Sequence, residues 1–261
     1  MTKKNSLACR ETGQGNSTVV LLHGLFGQAR NLGRLARELG EQHYVVAMDL
    51  PGHGESPHEP HYTIESMAAS VQHSLRQRGI ARYKLLGHSL GGKVAMAIAL
   101  GWPDEVQRLL VADIAPVRYP PRHAIVLEAL ARVDIEALAS RDDADSALAQ
   151  TLHDSVLRQF LLQNLARAGG GYAWKFDLAG LQASYAALSD AVQGTGGPAF
   201  SGPALFVGGD RSDYILPEYE PAVRALFPAA QFQSIANSGH WLHAEQPVAF
   251  AEIAGKFFAA E

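Results

Sequence analysis

Short apolar runs alternate along the chain with longer segments in which apolar residues recur every three or four positions. The runs are continuous in hydrophobicity, which is typical of strands buried on both faces of a parallel sheet. Their alternation with helical segments predicts a sheet covered by helices. The predicted strands are Thr18–Leu22, Tyr44–Met48, Tyr83–Leu86, Arg108–Ala112, Ala204–Val207 and Gln231–Ile235. The predicted helices are Asn31–Leu39, Ile64–Arg78, Gly91–Leu100, Glu218–Leu226 and Pro247–Phe258.

The segment from Val117 to Ala199 interrupts this alternation, and we predict no strand pair in it. Apolar positions spaced like one face of a helix occur in two places. They are Ile125, Leu130 and Val133, and then Val156, Phe160 and Leu165. Three consecutive glycines at 169–171 are predicted to end the second helix, and the stretch 194–198 to lead back to the sheet.

These patterns divide the chain into a core and an insertion. Residues 1–116 and 200–261 are predicted to form a mostly parallel, doubly wound α/β sheet, and residues 117–199 a helical cap. Loops at the carboxyl ends of such strands share one crevice, where ligands bind. A cap inserted there would cover a site in that crevice.

Composition and charge restrict the partners. The 261 residues are 47% hydrophobic and 18% charged, with a net charge of −4 and both signs interspersed. Without a basic face, we expect no nucleic-acid partner and no attraction to an anionic membrane. No stretch approaches the roughly 20 apolar residues of a membrane span, and the first ten residues lack the apolar run of a signal peptide. With Cys9 as the single cysteine, we expect a cytoplasmic protein.

A G-x-S-x-G sequence, residues 87–91, follows a predicted strand and opens a predicted helix. This strand–turn–helix context is the one that a nucleophile elbow requires. In so sharp a turn, side chains two residues before and after Ser89 would collide with backbone, which explains the two glycines. The turn would lift the Ser89 hydroxyl above the sheet and leave Leu90 N–H facing developing negative charge. We therefore predict Ser89 as a nucleophile.

A serine hydroxyl needs a base within hydrogen-bond reach. His240 lies in the loop Asn237–Trp241, after the last predicted strand and before the last helix. The order nucleophile, acid, histidine of G-x-S-x-G hydrolases favours so late a position. His243 is the competitor, three residues further on, and His88 is interpreted as a packing residue of the elbow. We predict His240 as the base.

Acyl transfer also needs two donors for the oxyanion. Leu90 N–H is the first, and the loop His23–Gly27 after the first long strand is predicted to supply the second. Leu25 N–H is favoured and Phe26 N–H is the alternative. His23 itself is interpreted as a buried histidine bonded to loop backbone.

Together these segments resemble the α/β-hydrolase superfamily over nearly the whole chain, and the small intracellular YbfF-type esterases more closely. The superfamily resemblance includes His23-Gly24, the run Asp49–Ser56, the Ser89 elbow and Gly239-His240. The resemblance to the esterases rests on His23–Gly27, Gly87–Lys93, Asp113–Pro116, Trp174–Phe176 and Gly239–Glu245. It implies an α/β-hydrolase fold with an inserted cap, and short-to-medium acyl esters or thioesters, including acyl-CoA, as substrates.

The position of the acid departs from the usual layout of the superfamily. Most α/β-hydrolases carry it three residues beyond a glycine, after the strand that follows the insertion. The third residue after Gly209 is Ser212, and the third residue after Gly208 is Arg211. Neither can act as the acid. Asp210 and Asp213 flank the position but are out of phase.

Asp113 is the other candidate, because it ends the apolar run that follows the elbow helix. In YbfF-type esterases the acid occupies the position matching Asp113, and a serine occupies the usual acid position. We therefore expect Asp113 to fix the imidazole tautomer and to stabilise the imidazolium. The alternative is an Asp that caps the start of the inserted segment. Two further charged residues are interpreted structurally, Asp49 in a turn and Lys93 in packing or an ion pair.

We thus predict a serine hydrolase, a carboxylic ester hydrolase that forms an acyl-enzyme on Ser89 and needs no metal or organic cofactor. The predicted substrate contacts are Phe26, Trp174, Phe176 and Trp241, and further cap candidates are Tyr119, Tyr172 and Leu181. Each cap residue could equally belong to the cap core. The alternatives are a C–C bond hydrolase or an acyl-CoA thioesterase on the same triad, and a slow-turnover ligand receptor. The oligomeric state is not predicted.

Overall fold

A computed structural model describes residues 6–193, 197 and 199–260. The strands are β1 (Cys9–Thr12), β2 (Thr18–Leu22), β3 (Tyr44–Met48), β4 (Tyr83–His88), β5 (Val106–Ala112), β6 (Leu165–Ala168), β7 (Gly171–Trp174), β8 (Ala204–Gly209) and β9 (Ala230–Ile235). The α-helices are α1 (Gly33–Leu39), α2 (Ile64–Gln77), α3 (Leu90–Gly101), α4 (Ala124–Ala131), α5 (Arg141–Ala149), α6 (Ser155–Leu162), α7 (Leu178–Leu188), α8 (Glu220–Leu226), α9 (Leu242–Glu245) and α10 (Pro247–Ala259). Short 3₁₀ turns at Ala29–Leu32 and Pro217–Tyr219 precede α1 and α8.

Seven of these strands form one sheet, in the order β1-β3-β2-β4-β5-β8-β9. Neighbours from β3 to β9 pair in parallel, and β1 pairs antiparallel with β3 at the edge. Val20 and Leu22 pack into the core on one face of the sheet, and Val19 and Leu21 on the other. Because both faces are covered by helices, the strands show no alternation of polar and apolar residues. The predicted doubly wound α/β fold is confirmed.

The segment between β5 and β8 holds α4 to α7 and a two-stranded hairpin of β6 and β7. The prediction of no strand pair there was wrong. Ala168 pairs with Gly171, so Gly169 and Gly170, both with positive φ, form the two-residue turn that favours glycine. The stretch 194–198, predicted to return the chain to the sheet, lies outside the described residues except for Gly197.

Two predicted helix faces of this segment also differ from the structure. Helix α6 ends at Leu162, so Leu165 belongs to the hairpin and not to a face with Val156 and Phe160. On α4, Ile125 is 52% exposed and does not share the buried environment of Leu130. Hydrophobic spacing alone identified helices here but assigned some of their faces incorrectly.

Lys93, on α3, attaches the inserted segment to the sheet. Its side chain is buried, and Nζ donates to the backbone carbonyls of Val117, Ser189 and Asp190. Val117 begins the insertion, and the other two residues follow α7. One ammonium group therefore holds both ends of the inserted segment against α3, in agreement with a structural role for Lys93.

Candidate active site

Ser89 lies in a sharp turn between β4 and α3, with φ 53° and ψ −119°. A Cβ on Gly87 would come within 2.1 Å of the Gly91 carbonyl oxygen, and one on Gly91 within 2.5 Å of the His23 carbonyl oxygen. These positions therefore exclude side chains, as the sequence predicted. The turn has the geometry of a nucleophile elbow, which presents the hydroxyl at the carboxyl end of the sheet.

His240 follows β9 and lies between Ser89 and Asp113. Its Nε2 is 3.0 Å from Ser89 Oγ, and its Nδ1 is 2.7 Å from Asp113 Oδ2. The ring of Tyr214 stacks on the imidazole with a centroid separation of 4.0 Å, and His88 Nε2 donates to the His240 carbonyl at 2.8 Å. The imidazole is thus positioned by Tyr214 on one face of the ring and by His88 through the backbone carbonyl of His240. Because a carboxylate only accepts, Nδ1 carries the proton and Nε2 is free to accept one from Ser89.

Asp113 directly follows β5, has a positive φ of 52° and is fully buried. Its carboxylate accepts hydrogen bonds from His240, from Gly209 N–H at 3.2 Å and from the Ser212 hydroxyl. Ser212, at the position where most α/β-hydrolases carry the acid, therefore contacts the acid candidate itself. Three donors compensate for the burial of the charge.

The other two candidates for the acid have different partners. Asp210 Oδ1 accepts from Ser238 N–H at 3.2 Å. Asp213 forms an ion pair with Arg122, and its side chain is 66% exposed. Of the three aspartates, Asp113 is the one hydrogen-bonded to His240 within the described residues.

Burial raises the pKa of Asp113 to about 7, although the hydrogen bonds from Ser212 and Gly209 lower it. Burial lowers the pKa of His240 to about 4. The two groups share a hydrogen bond and therefore titrate as a pair. Above about pH 7 the pair holds a carboxylate and a neutral imidazole, which is the form that can accept the Ser89 proton.

The loop after β2 brings backbone amides to Ser89. Within the described residues, the amides of Leu25, Phe26 and Leu90 donate to no protein acceptor. Phe26 has a positive φ of 61° and its carbonyl accepts from Asn164 Nδ2 at 2.8 Å. Asn164 Oδ1 in turn accepts from Gln28 Nε2 at 2.6 Å. The conformation of this loop therefore depends on a buried amide of the inserted segment.

Two small cavities, each of about 40 Å³, meet at Ser89. We call the first the acyl cavity; its lining includes Leu25, Leu90, Ile114, Tyr119, Tyr185 and Leu188. We call the second the inner alcohol cavity; its lining includes Phe26, Leu157, Phe160, His240, Trp241 and His243. Both are enclosed largely by apolar side chains.

The sequence and the fold are similar to those of known proteins. Residues 19–253 match the sequence model of the Alpha/beta hydrolase family. The chain belongs to this family. The hydrolase is 37% identical over 249 residues to the sn-1-specific diacylglycerol lipase of Mus musculus, covering 92% of this chain and 80% of that protein. It is 36% identical over 233 residues to Esterase YbfF of Escherichia coli, covering 89% of each.

A solved structure described as a marine microorganism esterase superposes on this hydrolase with a TM-score of 0.94 at 32% identity. The match covers 97% of this chain and 99% of that one. The predicted resemblance to YbfF-type esterases is confirmed, and the chain is a hydrolase of the esterase and lipase type. None of the described helices has the length and apolar character that crossing a bilayer requires.

The predicted substrate contacts of this hydrolase separate into two pairs. Phe26 and Trp241 line the inner alcohol cavity. Trp174 and Phe176 line neither cavity: their rings stack on each other at 5.4 Å, and Phe176 packs on Phe26. Substrate contact by Trp174 and Phe176 stays a prediction, and in this geometry the two rings pack behind Phe26 in the inserted segment. Of the further cap candidates, Tyr119 lines the acyl cavity, whereas Tyr172 and Leu181 line neither.

Several residues of the site were missed in the sequence. Tyr214 stacks on His240, Arg122 stacks on Tyr214 at 4.6 Å, and His123 lines both cavities. Burial lowers the pKa of His123 to about 4, so its ring is neutral at pH 7. Tyr214 lies two residues after Ser212, and that proximity is the one sequence signal that pointed to it.

His23 and Asp49, which were interpreted as structural, and His243, the competitor of His240 as base, have packing or backbone contacts in the hydrolase. His23 Nε2 accepts from Leu50 N–H at 3.0 Å and its Nδ1–H donates to the Gly24 carbonyl. Asp49 accepts from the amides of Ala29 and Glu55 and so holds its turn. The ring of His243 packs 4.9 Å from that of His88. In the described parts of the chain, no group of three or more His, Cys, Asp or Glu side chains could hold a metal ion.

Proposed function

We propose that this hydrolase cleaves short-to-medium acyl esters through an acyl-enzyme on Ser89. The observation that carries the proposal is the hydrogen-bonded series Asp113, His240 and Ser89, with separations of 2.7 and 3.0 Å, at the junction of two small apolar cavities. A nucleophile, its base and a group that orients the base are the parts that acyl transfer by serine requires. We also propose residues 117–199 as the cap of a core formed by 1–116 and 200–261.

In the first step, Ser89 Oγ attacks the carbonyl carbon of the ester while His240 Nε2 takes the hydroxyl proton. The carbonyl oxygen becomes an oxyanion, which the free amides of Leu25 and Leu90 stabilise. When the intermediate collapses, the bond to the leaving oxygen breaks and that oxygen takes the proton from Nε2. A water molecule then repeats the sequence on the acyl-enzyme and releases the acid.

Asp113 orients the base throughout. It accepts the Nδ1–H of His240 and stabilises the imidazolium formed in each step without taking its proton. The Ser212 hydroxyl contacts the same carboxylate oxygen, so it shares in stabilising the negative charge. A thioester can follow the same steps, and the similarity to a diacylglycerol lipase and to an esterase supports oxygen esters.

The test is covalent labelling by a fluorophosphonate, combined with steady-state kinetics. Ser89→Ala is expected to abolish labelling and to lower kcat by about 10⁴-fold or more. Ser201→Ala removes an exposed hydroxyl far from the elbow in sequence and serves as the control. It should keep both the fluorophosphonate labelling and the kcat of wild type. Retained labelling in Ser89→Ala would contradict the proposal. A series of p-nitrophenyl esters and CoA thioesters from acetyl to octanoyl then defines the acyl range.

A further inference from the structure

The two cavities at Ser89 differ in their relation to the base. A leaving alkoxide takes its proton from His240 Nε2, so the alcohol portion of the ester must lie on the side of His240. His240 lines the inner alcohol cavity and is not part of the lining of the acyl cavity. The acyl cavity is instead lined by the buried side chains of Ile114, Tyr119 and Leu188, and the partly exposed Arg122 also belongs to its lining. We assign the acyl chain to this cavity.

The inner alcohol cavity continues to the surface. Asn31, Phe160, Trp241 and His243 line both this cavity and an open groove of about 520 Å³ at α6 and α9. We call this the alcohol groove. The acyl cavity, by contrast, holds about 40 Å³, which is the space of about three waters at roughly 10–15 Å³ each. The site thus restricts the acyl chain and leaves room for a large leaving group.

The alcohol groove exposes apolar side chains, and its described lining contains no Lys or Arg. Val156 is 68% exposed in it, and Phe160 packs 6.2 Å from Trp241. Among its described lining residues, Glu245 is the one Asp, Glu, Lys or Arg. Arg30 lies at the margin, where Nη2 donates to the Gln163 carbonyl. A leaving group that carries phosphates would meet a carboxylate here and find no cation within the lining, whereas an alkyl chain would cover Val156 and Phe160.

We infer that the alcohol groove binds a neutral, apolar alcohol portion of the ester, with Val156 and Phe160 as specificity-determining contacts, and discriminates against the phosphate-bearing thiol of coenzyme A. The inference rests on the proposed function, because it assigns the groove from the direction of proton delivery by His240. It names the class of substrate: an ester of a short acid with a long neutral alcohol.

The test compares leaving groups at a constant butyryl group. The wild-type kcat/KM should be about tenfold or more higher for hexyl butyrate than for methyl butyrate, since one methylene in an apolar pocket already contributes about 1–3 kcal/mol. S-hexyl thiobutyrate should exceed butyryl-CoA by a similar factor. Equal rates for the methyl and hexyl esters, or a preference for butyryl-CoA, would overturn the inference.

Variants locate the preference in the groove. Val156→Ser and Phe160→Ala should each lower the ratio of kcat/KM for hexyl over methyl butyrate by about threefold or more. Val248→Ser alters an apolar residue that is similarly exposed, at 56%, but lies outside the groove lining, and should leave the ratio unchanged. Gln159→Lys supplies a cation to the groove and should raise the rate on butyryl-CoA relative to S-hexyl thiobutyrate. Ratios unchanged in all groove variants would overturn the assignment.

The two proposals fail separately in this experiment. If the wild type neither hydrolyses methyl butyrate nor reacts with a fluorophosphonate, the proposed serine mechanism is wrong. If it does both and shows no dependence on the alcohol, the mechanism stands and the groove assignment alone is wrong.

Discussion

The core and the inserted cap contribute to the site by different means. Ser89 and Asp113 directly follow β4 and β5 and their amides donate to the neighbouring strands, and His240 lies in the loop after β9. The cap residues that border Ser89, such as His123 and Leu188, belong to short helices and the loops beside them. The difference predicts that changes at strand ends alter the chemistry of a folded protein, whereas changes at cap attachments first alter stability and substrate selection.

The largest effect is expected at Asp113. Asp113→Asn keeps the shape of the side chain but favours the wrong imidazole tautomer, an effect of about 10⁴ in kcat where it has been measured. Kinetics on one ester at pH 8, with circular dichroism as the check of folding, would test this. Asp210→Asn and Asp213→Asn are the controls and should stay within roughly tenfold of wild type, under about 1.4 kcal/mol. A severe loss in either control with an active Asp113→Asn would reverse the assignment.

Lys93 tests the attachment of the cap. Lys93→Met removes the donor of three backbone carbonyls, so the free energy of unfolding should fall by about 2–4 kcal/mol, measured by urea denaturation. Lys84→Met is the matched control on β4, where Nζ donates to one carbonyl, that of Phe258, and about 1 kcal/mol is expected. Equal losses in the two variants would show that Lys93 does not secure the cap.

A substitution of Ser212 tests whether the core lowers the pKa of the Asp113–His240 pair. The active form of the Asp113–His240 pair is the deprotonated one, so kcat/KM should fall as the pH drops through about 7. The Ser212 hydroxyl stabilises the carboxylate and lowers its pKa, so Ser212→Ala should move this acid limb to higher pH. At pH 7 the rate should drop by about tenfold.

The control for that shift is Ser238→Ala. Ser238 is a buried hydroxyl in the His240 loop that donates weakly to backbone, at 3.4 Å, and does not contact Asp113. The acid limb of the pH profile of Ser238→Ala should coincide with that of wild type. A limb that stays in place in Ser212→Ala would mean that Ser212 does not act on the pair.

The smallest effect on activity is expected at Trp174. Since Trp174 stacks on Phe176 and lines neither cavity, Trp174→Ala should leave the acyl-chain preference within about threefold while lowering stability by about 1–3 kcal/mol. Leu188→Ala, in the wall of the acyl cavity, should instead raise the rate on hexanoate relative to butyrate by about tenfold. A preference that changes with Trp174 and not with Leu188 would contradict the assigned acyl cavity.

The parallel strands were predictable because each is a short, continuous apolar run buried on both faces. The predicted bounds of β2 and β3 match the structure, and those of β4, β5, β8 and β9 lie within two residues of it. Strand β1 was missed. Its sequence, Cys9–Thr12, is polar and at most partly buried, and it forms through pairing with β3 rather than through hydrophobic pattern.

The cap hairpin was missed for a related reason. Its strands are four residues long, carry no alternation and are joined by glycines that fit a helix end equally well. The contacts between distant segments could also not be predicted from the sequence. Asn164 and Gln28 carry no motif, and Tyr214 differs from other loop tyrosines only through its position over His240. By contrast, the juxtaposition of Ser89, Asp113 and His240 was predictable, because parallel strand ends converge at one edge and the resemblance to YbfF-type esterases favoured Asp113.

The bond from Asn164 to the Phe26 carbonyl joins residues that are 138 positions apart. During synthesis, the loop that supplies the amide of Leu25 leaves the ribosome long before the side chain that shapes it. The hydrogen bond by which the cap holds this loop can therefore form only after the cap has been made and docked. The same dependence limits recombination among hydrolases: a foreign cap grafted onto this core would need an amide in place of Asn164, facing Gln28, to preserve the turn beside the nucleophile.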